Sequence, residues 1–119
     1  MGTRDFEKAV GEALAKVPPD LAEAIENVAV TVEDEPSRED LLSVGLDPEV
    51  DTLFGLYQGV PLPERGPSTY GLDLPDRIVV YRLPLLEECT TRRELLCEIR
   101  DTVIHELGHY FGLPEEELP

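Results

Sequence analysis

The chain contains no tryptophan, a single methionine and only two cysteines, and its 10 basic residues are far outnumbered by 26 acidic ones. Each shortage excludes something. Two cysteines, Cys89 and Cys97, cannot make the disulfide framework of a small secreted domain. No apolar run approaches the ~18 residues that a membrane-spanning helix requires. The opening residues, Met1 to Glu7, carry no apolar stretch of signal-peptide type. The expected compartment is therefore the cytoplasm, with both thiols reduced. A net charge of −16 repels phosphate backbones and anionic lipid surfaces alike, so neither nucleic acid nor membrane is expected as a partner.

What is present describes a folded globule. Apolar residues at 41% and charged residues at 30% of 119 positions fit one soluble domain, residues 1–119, with a core of its own. Phe6, Val10, Ala13, Leu14 and Val17 recur at helical spacing, and Pro18-Pro19 ends that helix. A short second helix is expected from Pro19 to Glu26. Val28 to Val32 is apolar and β-branched, which predicts a strand buried on both faces. Ser37 and Asp40 open a third helix that Gly45 stops. Glycines and prolines punctuate the chain from Asp47 to Leu74, so loops are expected there around one strand at Leu53–Tyr57. Ile78 to Tyr81 reads as another strand. Thr91-Arg92-Arg93-Glu94 is a capping box that starts a long helix, and Gly112 followed by Pro114 ends it near Phe111.

That last helix carries both histidines of the chain, in the order His105-Glu106-Leu107-Gly108-His109. This is H-E-x-x-H. Four residues turn an α-helix by about 400°, so the two imidazoles differ by only about 40° in direction and stand about 6 Å apart along the axis. Both can reach one tetrahedral cation at ~2.0–2.1 Å. Glu106, about 100° further round from His105, lies beside such a cation, where it can take a proton from an activated water. A role as core histidines is disfavoured by the helical wheel. Leu95, Leu96, Ile99, Val103, Leu107, Tyr110 and Phe111 share one broad apolar face, whereas His105 and His109 point away from it alongside Glu94 and Glu98.

A third ligand must come from another residue type. Cys97 lies about 12 Å up the helix from His105, too far to share the cation. Cys89, in a loop, stays among the alternatives. A turn at Gly112 can fold the following segment back and bring Glu115 to the metal, in the pattern H-E-x-x-H-x-x-G-x-x-E; spacing does not choose between Glu115 and Glu116. Asp101, one turn before His105, is placed to orient that imidazole or simply to face water. Tyr57 and Tyr70 are candidates for polarising a substrate carbonyl, and Tyr110 fits the core better.

The stretch Val103 to Leu113 resembles the minimal zincin family of small, single-domain bacterial metallopeptidases. Leu53 to Leu62 and the strand segment Asp76 to Arg82 are similar to the same family. The resemblance implies an α+β zincin-like fold, a small twisted sheet packed against helices with the motif helix behind it. It also implies zinc held by His105 and His109, with Glu106 as general base. The only methionine is Met1, so the methionine turn of larger zincins is absent, as suits a reduced fold. The expected activity is zinc-dependent hydrolysis of a peptide or protein. The alternatives are a metal-binding module without catalysis and a metal-free interaction protein that retains the motif.

Overall fold

The computed structural model describes residues 1–60 and 76–113. Within them the chain runs α1 (Thr3–Leu14), α2 (Pro19–Glu26), β1 (Ala29–Glu33), α3 (Arg38–Ser43), β2 (Gly55–Gln58), β3 (Arg77–Tyr81), α4 (Arg82–Glu88) and α5 (Arg92–Tyr110). The strands form one sheet in the order β1-β3-β2, with β1 parallel to β3 and β2 antiparallel to it. The fold is α+β, as expected.

Strand β3 is central, and its sequence shows why. Successive side chains of a strand point to opposite faces. Ile78 and Val80 enter the main core with Phe6, Ala9 and Val10 of α1 and Ile99, Val103 and Leu107 of α5. Val79 and Tyr81 enter a smaller cluster with Leu56 on the other face. A strand covered on both sides must be apolar at every position, and residues 78–81 are fully buried.

Strand β1 departs from expectation. Among the described residues it is an edge strand, with Ala29 exposed and its other residues half-buried. Its β-branched sequence fits a pleated surface as well as a buried interior, so composition did not distinguish the two. Helix α1 stops at Leu14, before Val17, because a residue preceding proline is pushed out of the helical region. Val17 is buried all the same. Helix α4 was not anticipated; Pro84 falls in its first turn, where an amide has no intrahelical acceptor and proline is tolerated.

Helix ends follow their local signals with one shift of register. At α3 the capping box is complete: Asp40 N–H donates to Ser37 Oγ at 3.0 Å and Ser37 N–H donates to Asp40 Oδ2 at 3.2 Å. At α5 Thr91 Oγ1 accepts from Glu94 N–H at 3.1 Å. The returning Glu94 carboxylate, however, takes the amide of Thr90 (3.2 Å) instead of that of Thr91. Helix α5 ends in a Schellman turn, with Leu113 N–H donating to Gly108 O and Gly112 N–H to His109 O, both at 2.9 Å. The turn needs Gly112 at φ 78°, a left-handed conformation open to glycine.

Asp40 also ties α3 to the sheet, because its Oδ2 accepts from the Tyr81 hydroxyl at 3.0 Å. Tyr81 is fully buried, and burial, followed by the neighbouring Asp40 carboxylate, raises its phenol pKa above the ordinary value. The unfolded chain releases this proton near pH 10 and the folded chain does not, so the contribution of Tyr81 to stability is complete below pH 10 and fades above it. In urea titrations at pH 7 we expect Tyr81→Phe to cost about 1 kcal/mol. Between pH 10 and pH 11 the wild type should lose more stability than the variant, so the difference between them narrows.

Candidate functional site

Helix α5 has 19 residues and runs along the main core, burying Leu95, Ile99, Val103, Leu107 and Tyr110. This places His105, Glu106 and His109 in its last turns. The two imidazoles are half-buried and their ring centroids lie 5.2 Å apart, inclined at 72°. One ligand atom from each of His105, Glu106 and His109 can be chosen so that all lie within 4.8 Å of one another. Two donors at ~2.0–2.1 Å from a tetrahedral zinc stand about 3.3 Å apart, a separation that small side-chain rotations reach from here. The donor set and its geometry are compatible with a metal ion.

Glu106 differs from the histidines in being only 7% exposed. An ionised carboxylate at that depth needs hydrogen-bond donors. One is the Tyr57 amide of β2, which donates to Glu106 Oε1 at 2.8 Å. The sheet register explains why this amide is available. Tyr81 N–H donates to Phe54 O, so Phe54, Leu56 and Gln58 are the residues of this strand that bond to β3. Residues 55 and 57 turn their amides to the outer edge. The buried Glu106 carboxylate and an edge amide of the sheet thereby serve each other as acceptor and donor.

That contact requires α5 to lie almost against β2. Gly55 permits it: a Cβ there would stand 2.5 Å from Thr102 Cγ2 and 3.0 Å from Val79 O. The requirement is one of space, since the backbone of Gly55 is not in a left-handed conformation. Tyr57 is further pinned by its hydroxyl, which donates to Asp76 Oδ1 at 2.6 Å, and by edge-on contact with Tyr110 at 5.8 Å. Beside His105 a cleft of about 320 Å³ opens, lined by Phe54, Gly55, Glu98, Asp101, His105 and Glu106 among others.

The structure thus brings His105, Glu106 and His109 together as the motif predicts. Glu115, its alternative Glu116, and Tyr70 lie outside the described residues. Asp101 faces solvent and accepts from Arg100 Nε and Nη2, both at 3.2 Å, which answers to the simpler of its two expected roles. Tyr110 is a core residue. The Tyr57 hydroxyl is committed to Asp76, and it is the backbone of Tyr57 that serves the site. Cys89 is not in the metal-ligand group; burial raises its thiol pKa, which disfavours the thiolate a metal requires. Sequence reading did not assign Gly55 or the Tyr57 amide. A glycine inside a strand is the signal for such a close approach.

For Gly55→Ala we expect a loss of about 1–3 kcal/mol in urea unfolding, the usual cost of overpacking. Adding Thr102→Ser removes the nearer obstacle, Cγ2, and should recover part of that loss. The Val79 carbonyl is backbone and remains. Equal stability of Gly55→Ala and wild type would remove the steric account of the β2–α5 contact.

Comparison with known proteins agrees with this geometry. The family model described as zincin-like metallopeptidase matches residues 25–119. A solved structure of a conserved hypothetical protein from Thermus thermophilus is similar in fold, with a TM-score of 0.62 and 25% identity, covering 93% of this chain and 94% of that one. No curated protein matches. With the motif on its helix, and a family match over most of its length, the chain belongs to the zincin-like metallopeptidase family.

Proposed function

We propose that the protein is a zinc-dependent hydrolase acting on a peptide or protein, with His105 and His109 as zinc ligands, Glu115 as the third, and Glu106 as general base. The observation that carries the reading is the buried Glu106 carboxylate, oriented by the Tyr57 amide beside two imidazoles that share one side of α5. Zinc, when bound, supplies Lewis acidity, polarising a carbonyl and making water nucleophilic near neutral pH.

The remaining work falls to the chain itself. Glu106 takes a proton from the attacking water and returns it to the leaving amine nitrogen as the carbon–nitrogen bond breaks, so the carboxylate ends as it began. The Tyr57 amide keeps Oε1 in place, which leaves little reorganisation to the reacting step. The cleft beside His105, lined by Phe54, Gly55, Asp101 and Glu106 among others, is where a substrate segment would meet the motif. Two free thiols, Cys89 and Cys97, support a reducing compartment such as the cytoplasm.

The test uses the purified full chain loaded with zinc and a peptide library read by mass spectrometry. Cleavage is expected from the wild type and about 10²–10⁴-fold less from Glu106→Gln, the usual share of a general base, with zinc content unchanged. His105→Ala and His109→Ala should lose zinc by elemental analysis. Glu115→Ala, compared with Glu116→Ala, should weaken zinc binding by about tenfold or more. Cleavage by Glu106→Gln at the wild-type rate would overturn the mechanism. Stoichiometric zinc with no cleavage of any peptide would favour a binding module without catalysis.

A further inference from the structure

Of the 10 basic residues in this strongly acidic chain, four gather around one groove of about 470 Å³: Lys16, Arg92, Arg93 and Arg100, with Leu96 and Cys97 between them. On α5, residues 92, 93, 96, 97 and 100 form a single stripe that lies roughly opposite the two imidazoles around the helix. Arg92 is paired with Glu12 at 2.9 Å and Arg100 with Asp101 at 3.2 Å. Lys16 and Arg93 are exposed and have no ion pair or side-chain hydrogen bond among the described residues. So the groove combines two exposed cations that have no direct ion pair among the described residues with an apolar floor formed by half-buried Leu96 and exposed Cys97. The basic patch is bounded on the Arg93 side by Glu88, Glu94 and Glu98.

We propose that this groove is a docking surface for an acidic, amphipathic segment of a partner protein, its carboxylates meeting Lys16 and Arg93 and an apolar side chain resting on Leu96 and Cys97. Charge complementarity selects the sign of the partner. The net charge of −16 selects its size. A polyphosphate chain or an anionic membrane presents charge well beyond the groove and would be repelled by the rest of the surface. A short segment stays within one Debye length, about 8 Å in physiological salt, of the local cations. Arg93 precedes His105 by twelve residues, about 18 Å along α5, so occupancy of the groove leaves the histidines accessible.

Fluorescence anisotropy with the full chain tests this, using a labelled five-residue peptide of alternating glutamate and leucine, whose extended length of about 17 Å keeps its charges near the groove. Binding should weaken as salt rises from 50 to 200 mM, and should fall about tenfold in Lys16→Glu/Arg93→Glu. These are two exposed positions whose replacement should leave the melting temperature unchanged. Replacing the leucines of the peptide by serine, or its glutamates by glutamine, should each weaken binding. Alkylation of Cys97 should slow in the presence of the peptide, with Cys89 as internal reference. The proposal is overturned if the double variant binds the peptide as the wild type does, or if Cys97 is not protected. It is overturned equally if polyphosphate or phosphatidylserine vesicles bind more tightly than the peptide. Salt-sensitive self-association in sedimentation, abolished by the same double variant, would assign the groove to a second copy of the chain instead.

Discussion

The site depends on how closely α5 approaches the outer edge of β2. At that line of contact the Tyr57 amide meets the Glu106 carboxylate at 2.8 Å, and each group removes a liability of the other. An edge amide without an acceptor invites pairing with foreign strands. A carboxylate that is only 7% exposed, without a donor, is costly to keep ionised. The approach needs a residue without a side chain at position 55, because Thr102 and the Val79 carbonyl already fill the space. One glycine therefore sets the position of the buried carboxylate, through packing alone.

Helix α5 divides its surface three ways. One stripe, from Leu95 to Tyr110, belongs to the core. A second carries Glu98, Asp101, His105 and Glu106 along the cleft beside β2. The third carries the arginines with Leu96 and Cys97. Because a helix turns about 100° per residue, all three can be interleaved in one segment without competing for the same direction. Rigidity follows from the capping at both ends, with Thr91 at the start and the Schellman turn at Gly112 at the finish.

Much of the fold was legible in the sequence where a local rule acted alone. The Ser37–Asp40 box, the proline boundary after α1, the Gly112 terminus and the all-apolar run of β3 each follow from the chemistry of a few adjacent residues. The departures arose either where a neighbour distant in sequence decided the outcome or where local geometry is finer than the motif that reads it. The β-branched run of β1 reads the same at an edge as in the interior, and only pairing order makes it an edge. Glu94 reaches Thr90 instead of Thr91, a choice made by side-chain geometry below the resolution of a motif. Helix α4 was not anticipated, and its Pro84 sits where the first turn has no use for the missing amide.

The sequence by itself determined which groups are available for chemistry: two histidines and a glutamate whose spacing on a helix fixes their mutual directions, in a chain too acidic to favour polyanions. It could not determine what stands opposite them. The Tyr57 amide lies 49 residues from Glu106 along the chain, and a backbone donor leaves no mark in residue identity. Only the pairing of β2 with β3, and the packing of α5 against both, turns that amide toward the carboxylate. Helical periodicity is a local property of the chain, whereas burial and hydrogen-bond partnership belong to the folded whole.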